Sequence, residues 1–327
     1  MSKTVAITGA SGHIGACLCR DLLGSGHKLR VLVNRDRRSL EGLPTETFDG
    51  DIRDEGDLFR LFSGAEIAIH LACRITLHQR DHEALAINTE GTRSVINAVK
   101  RSGVRRLIHF SSIHAVRPEP LDEILDENRP LNTDASADYD RSKAHGEAMV
   151  SAAVQEGLDA IILRPTAIIG PFDFKPSIMG SAILRYYRGQ NPVNVPGGYD
   201  WVDVRDVSES TVQAMERGRR GEAYLLPGHW HDLRTLAREI HLYGGADPPL
   251  LEVPIWLARM GIPLLNISAR LKGEIPIYTA MSLGSLKNSP QQISGLKALK
   301  ELGHKPRPFS NSVRDTVMWF RRQGEIV

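Results

Sequence analysis

The run Thr4-Val5-Ala6-Ile7-Thr8-Gly9-Ala10-Ser11-Gly12-His13-Ile14-Gly15 decides the fold. Its first five residues read as a short apolar strand buried on both faces. From Ile14 to Leu23 the apolar positions Ile14, Leu18 and Leu22 share one helical face. Between strand and helix, Gly9, Gly12 and Gly15 are spaced GxxGxxG. Glycines at such a turn let backbone N–H groups at a helix N-terminus reach a pyrophosphate, and let helix and strand pack closely. A Gly-rich turn by itself serves any tight loop. Placed after a strand and opening a helix, it reads as a dinucleotide-binding turn made of Gly9, Ser11, Gly12, His13, Ile14 and Gly15.

Outward from this unit the same alternation repeats. Lys28 to Val33, Ile67 to Leu71, Arg106 to Ser111 and Ala160 to Leu163 read as strands. Asp57 to Phe62, His82 to Ser102 (ending at Gly103) and Asp138 to Glu156 (ending at Gly157) read as helices. This predicts an α/β, Rossmann-type doubly wound parallel sheet. After about Arg164 prolines crowd the chain and periodicity weakens, which predicts a smaller, irregular C-terminal substrate-binding lobe. The expected division is a dinucleotide-binding domain over 1–165, with 199–226 returning to it. Residues 166–198 and 227–327 then form mainly the substrate lobe and a terminal helix over Asn311 to Arg322.

Composition bounds the function. Lys plus Arg number 41 against 39 Asp plus Glu, a net charge of +2, so no basic excess points to nucleic acid. At 327 residues the chain can bury a large core without disulfides or metals. Its three cysteines, Cys17, Cys19 and Cys73, form no CxxC pair. With no basic leader and apolar stretch at the N-terminus, a cytoplasmic location is expected. The apolar segment Ile255 to Ile267 is broken by Arg259, Pro263 and Asn266 and is too short to span a bilayer.

The second strand ends Val33-Asn34-Arg35-Asp36-Arg37-Arg38. No acid stands at the tip to accept a ribose 2′-OH, and Arg35 with Arg37 or Arg38 could clamp a 2′-phosphate. This favours NADP (NADPH) as cofactor, with NAD possible. Further along, Tyr139 and Lys143 are four apart on an expected helix and share a face. A free phenol has a pKa of about 10, and an adjacent ammonium favours its ionised form. Ser112 follows a strand end, where it could bond a substrate oxygen.

With these residues the chain resembles the extended short-chain dehydrogenases/reductases, the NAD-dependent epimerase/dehydratase superfamily, and within them the dihydroflavonol-4-reductase-like branch. The resemblance spans essentially the whole chain. Asp49-Gly50-Asp51-Ile52-Arg53-Asp54 resembles the adenine-binding turn, which implies contacts from Asp51 and Ile52. His70-Leu71-Ala72 resembles the strand end against the cofactor. Asn88-Thr89-Glu90-Gly91-Thr92 resembles the long-helix signature. Tyr139-Asp140-Arg141-Ser142-Lys143 matches YxxxK, and Leu163-Arg164-Pro165-Thr166 with Ile168 and Gly170-Pro171 matches the segment beside the nicotinamide. Trp201 to Val207 matches a downstream motif, and Leu302-Gly303-His304 with Pro306-Arg307-Pro308 resembles the tail of the branch.

The resemblance implies an oxidoreductase in which Tyr139 is acid/base, Lys143 tunes it and holds the nicotinamide ribose, and Ser112 polarises the carbonyl. Ser111 is the alternative serine register. His114 and Arg117 are expected at the substrate. Plant dihydroflavonol reductases carry Asn at the position of Arg117, which counts against a flavonoid. Sugar-nucleotide enzymes carry an Arg in the run that here reads Tyr199-Asp200-Trp201, although Arg185, Arg188 or Arg205 could replace it. Two rival readings stay open: a nucleotide-sugar epimerase or dehydratase that retains NAD, and a non-catalytic dinucleotide-binding sensor. A small-molecule carbonyl or alcohol substrate is expected, with a homodimer through the two long helices implied by the resemblance. No metal site is expected: His78 and His82 are spaced i, i+4, but no third ligand follows. His229 and His231 read as part of a loop entering the next helix.

Overall fold

A computed structural model describes residues 2–261 and 279–327. Its centre is a seven-stranded sheet. The strands are β1 (Thr4–Thr8), β2 (Lys28–Val33), β3 (Thr45–Asp49), β4 (Ile67–His70), β5 (Arg106–Phe110), β6 (Ala160–Pro165) and β9 (Ala223–Leu226). They lie in the order β3-β2-β1-β4-β5-β6-β9. Every pairing is parallel. β1, β4 and β6 are almost wholly buried, as continuous apolar runs with helices on both faces must be.

One face is covered by α1 (His13–Gly24), α6 (Val204–Arg217) and α9 (Leu296–Leu302), sharing a core of Leu18, Leu22, Val207, Ala214, Ala298 and Leu302. The other is covered by α2 (Glu55–Phe62), α3 (His82–Ser102) and α4 (Asp138–Gln155), through Leu58, Phe62, Val95, Val99 and Val150. Strand order reverses between β1 and β4, and ligands of such sheets bind in the crevice at that switch.

β3 is absent from the sequence reading. It is an edge strand with mostly exposed, polar residues, so it lacks the apolar run that marks its neighbours. α3 matches its expected span, capped by Asp81, which accepts from Ala84 N, and stopped by Gly103 at φ 75°.

The C-terminal lobe is more regular than expected. β7 (Ala167–Ile169), β8 (Gly198–Asp203) and β10 (His229–Asp232) form a second sheet in the order β10-β8-β7. It packs on α5 (Ile178–Tyr187), α7 (Leu233–Leu242), α8 (Ala280–Lys287) and α10 (Phe309–Arg322) around Trp201, Leu236, Leu283 and Phe320. Strands of three to six residues between prolines carry too little pattern to register in sequence. His229 and His231 therefore sit on a strand paired with β8, not in a loop, and His231 stacks on Phe309.

Residues 199–203 pair in the small sheet, and the chain returns to the large sheet through α6 and β9. α9 packs on the large sheet, with Ala298 and Leu302 in its core. Part of the apolar segment ending at Ile267, with Pro263, Asn266 and Pro276, lies outside the described residues. Among the described residues no helix is long and apolar enough to cross a membrane.

Candidate active site

The Gly-rich turn has three glycines with three different reasons. Gly9 has φ 77°, and a Cβ there would lie 2.5 Å from Ala72 N. Gly15 sits against β1's end, and a Cβ would lie 2.4 Å from Gly9 O. Both are demanded by packing. Gly12 has an ordinary φ of −79°, and its Cβ would meet only Gly9 O at 3.4 Å. The fold does not require glycine at that position. It is the N-cap of α1, where no side chain caps the helix and no acid stands in the first turn. An uncapped helix start beside a bare backbone fits a pyrophosphate.

A cavity of 1160 Å³ opens at the switch point, lined by Gly9, Gly12, His13, Ile14 and Gly15 of this turn and by Leu71. Pro165, Thr166 and Ile168 close its far wall, and Ser112, Tyr139 and Lys143 line it as well. His114 and Arg117 line the same space, so one cavity gathers most of the residues singled out in sequence. Ser11 and Ala72 flank it in the chain. Arg35, Asp51 and Ile52 lie outside it, beyond the C-terminal ends of β2 and β3 on the same side of the sheet.

Ser112, Tyr139 and Lys143 are all buried. Ser112 follows β5 and caps the next turn, its Oγ accepting from His114 N at 3.2 Å. Ser111 Oγ is buried without a hydrogen-bond partner among the described residues. Lys143 Nζ donates to Phe110 O at 3.0 Å. Burial pushes the Tyr139 hydroxyl well above its usual pKa; neighbouring Cys73 and Asp140 add to the rise and the nearby Ser112 hydroxyl opposes it. This reverses the lowering expected from Lys143. The desolvated phenol outweighs other influences, and the ammonium is engaged by a strand-end carbonyl.

Contacts that the sequence reading did not anticipate hold these groups. Asn88 on α3 accepts from Arg74 N (2.8 Å) and donates to Arg74 O (3.1 Å) and Ser142 Oγ (2.9 Å). Ser142 Oγ in turn donates to Tyr139 O at 2.7 Å. Asn88 thus ties the loop after β4 to the helix carrying Tyr139. Gly91, from the same signature, lets the Ile52 side chain lie against α3; a Cβ there would be 2.5 Å from Ile52 Cδ1 and would push that side chain aside. Thr166 Oγ1 donates to Asp200 Oδ1 at 2.7 Å, and Gly228 N donates to the same oxygen at 2.6 Å. His13 Nε2 lies 3.0 Å from Pro171 O, joining the turn to the segment after β7.

The arginines are placed less simply than their spacing suggested. Arg35 is exposed at the end of β2, with no partner among the described residues. Arg37 pairs with Asp49, and Arg38 with Asp36 at 2.6 Å. The expected two-arginine clamp is therefore a single free Arg35, because nearby carboxylates hold the other two. Arg53 binds Asp51 through Nη2 at 2.8 Å and holds its carboxyl below the usual range.

Arg117 pairs with Asp134 at the cavity mouth. Arg185 bonds Gln190 O, Arg188 bonds Glu325 O, and Arg205 bonds Asp203 and Asp315. None of these three lines the cavity. His78 precedes the first residue of α3, so it does not share a helix with His82, and no metal-binding cluster occurs among the described residues.

Comparison with known proteins agrees with this geometry. The NAD dependent epimerase/dehydratase family matches residues 5–226. Sterol demethylase protein B of Methylococcus capsulatus is 34% identical, covering 99% of this chain and 100% of that protein. A putative dihydroflavonol 4-reductase of Synechocystis is 31% identical, covering 100% and 97%. The crystal structure of gox2253 superposes with a TM-score of 0.86 at 32% identity, covering all of both chains. The chain belongs to the NAD-dependent epimerase/dehydratase family of extended short-chain dehydrogenases/reductases, and is an NAD(P)-dependent dehydrogenase/reductase acting on CH–OH or C=O groups.

Proposed function

We propose that the protein is an NADPH-preferring reductase of a ketone or aldehyde, or the corresponding alcohol oxidant in reverse. In this reading Ser112, Tyr139 and Lys143 are the catalytic residues. The observation that carries it is their place in the wall of the cavity that also holds the Gly9–Gly15 turn. Residues 1–165 with 199–226 serve mainly the dinucleotide, and the remainder mainly the substrate. The dinucleotide is held by the turn, by Leu71, Ala72, Pro165, Thr166 and Ile168, and at its adenosine end by Asp51, Ile52 and Arg35. When bound, NADPH supplies the hydride.

The chain's own groups handle the proton and the orientation. Burial keeps the Tyr139 phenol protonated, which suits donation to a carbonyl oxygen. Ser112 Oγ, fixed by His114 N, holds that oxygen beside the phenol. Lys143, anchored on Phe110 O, keeps spare N–H donors for the ribose and for the phenol once its proton has left. His114 and Arg117 face the substrate. A homodimer through α3 and α4 completes the proposal.

The test is to denature freshly purified protein and identify released dinucleotide. An empty protein that binds NADPH more tightly than NADH supports an exchanging reductase. Stoichiometric retained NAD overturns it in favour of an epimerase or dehydratase.

A further inference from the structure

Next to Tyr139 on α4 stands Asp140, and the 3.1 Å approach of its Oδ1 to His114 Nδ1 brings a second titratable pair to the cavity. The imidazole is set edge-on to the Tyr139 ring, centroids 5.8 Å apart. Its backbone N–H donates to Ser112 Oγ, which holds the main chain at this residue. Nδ1 lies 3.1 Å from the carboxylate oxygen, and Nε2 has no partner among the described residues while the residue lines the cavity. A carboxylate beside Nδ1 favours a proton on that nitrogen, so Nε2 is an acceptor in the neutral ring and a donor in the imidazolium, and either way it is left for a ligand.

Carbonyl reduction needs one proton donor and one oxygen clamp, and Tyr139 with Ser112 supply both. His114 Nε2 is therefore surplus to the reacting oxygen. The cavity's lining includes Val116, Leu125, Ile178, Met179, Met281 and Ile293, an apolar contribution beside the polar groups of the site.

We propose that His114 and Asp140 form an oxygen-recognition dyad, with His114 Nε2–H donating to a second oxygen on the substrate, one or two carbons from the reacting carbonyl. The substrate class is then an apolar vicinal or 1,3-dioxygenated ketone. His114 touches the substrate, and Asp140 is a positioning residue that acts through it. This rests on the reductase reading above and specifies its substrate.

The charge environment favours the donor form. Burial pulls the His114 pKa down, but the charge of Asp140 and the contact with it more than offset this, so the pKa is raised. Tyr139, Asp140 and Lys143 face this region from α4, Cys73 from the loop after β4, and Glu119 with the Arg117–Asp134 pair from the loop before α4. Arg259 stands on the same cavity's wall.

The probes are benzil and deoxybenzoin, diphenyl ketones that differ in the single oxygen beside the reacting carbonyl. The readout is the ratio of their kcat/KM values with NADPH, which cancels their intrinsic reactivities when wild type and variants are compared. His114→Phe is expected to lower the benzil-to-deoxybenzoin ratio by about tenfold or more, the size of a lost charge-assisted hydrogen bond. In wild type the ratio should fall as pH rises through the His114 pKa, because the Nε2 proton is lost. Asp140→Asn should move that fall to lower pH while preserving the cavity's shape. A ratio unchanged in His114→Phe, or a fall that does not move in Asp140→Asn, overturns the proposal. Turnover of neither ketone by a protein that still binds NADPH overturns the substrate class alone, whereas failure to bind NADPH overturns the reductase reading beneath it.

Discussion

Lys143 Nζ donates a 3.0 Å hydrogen bond to the carbonyl oxygen of Phe110, anchoring the ammonium of α4 to the end of β5, two residues before Ser112. One bond thus sets the spacing between the helix that carries Tyr139 and the strand that delivers the serine. Removing the phenol's oxygen leaves this frame in place. Tyr139→Phe should bind NADPH within about threefold of wild type and lose turnover by at least about a hundredfold, the usual range for a general acid. Parallel fluorescence titration and steady-state assays check this, and retained turnover would refute the assignment.

The glycine geometry separates folding from binding. Gly15→Ala places a Cβ against Gly9 O and Ala10 Cα, so thermal stability should drop clearly. Gly12→Ala meets only one atom at ordinary contact distance, so the melting temperature should barely move while NADPH affinity weakens. Equal losses of stability in both variants would contradict the idea that Gly12 serves a ligand.

Arg35 is the one arginine of its loop left without a carboxylate partner among the described residues. Arg35→Ala should weaken NADPH binding by about tenfold, as expected for a lost charge-assisted phosphate contact, and leave NADH within about twofold. Dissociation constants for both cofactors decide the matter. An unaltered NADPH-to-NADH ratio removes Arg35 from the 2′-phosphate.

Beneath the site, His70 and His109 are fully buried, 5.4 Å apart. His70 lies near Thr8 and Thr92 hydroxyls, whereas both His109 ring nitrogens lack partners among the described residues. Burial, reinforced by Lys143, pulls the His70 pKa down to about 3; burial, then His70 and Lys143, pulls that of His109 well below normal. Both rings are neutral when folded and take up protons on unfolding below about pH 6.5. Stability is therefore complete above that pH and falls by roughly 1.4 kcal/mol per pH unit for each ring as pH drops. Urea unfolding at pH 7, 6 and 5 should show this, and His109→Phe should flatten the slope. An unchanged slope would mean that another group drives acid sensitivity.

Arg164 on β6 forms a buried ion pair with Glu147 on α4, through Nε at 3.2 and 3.1 Å and through Nη2. Arg164→Met strands a buried carboxylate and should cost about 3–5 kcal/mol. Adding Glu147→Leu should recover much of it. Denaturant midpoints of the two variants are the measure, and equal midpoints would mean that the pair matters through packing alone.

The sequence by itself determined the large sheet and most of the cavity. Buried parallel strands must be continuous apolar runs, and a turn that meets a pyrophosphate must be glycine, so both leave marks in one dimension. Ser111 and Ser112 both follow the end of β5 at Phe110 and both line the cavity, as their place after an apolar strand suggests. β3 and the small sheet left no such mark, because an edge strand and three- to six-residue strands bury too little to need a pattern.

Only the tertiary structure decided what charged and titratable side chains do. It set Arg37 and Arg38 against Asp49 and Asp36, and so isolated Arg35. It raised the Tyr139 pKa by burial, where spacing to Lys143 suggested the reverse. It brought Asp140, silent inside YxxxK, to His114 from 26 positions away. Electrostatics depends on distance and dielectric in three dimensions, and neither is encoded in the order of residues along the chain.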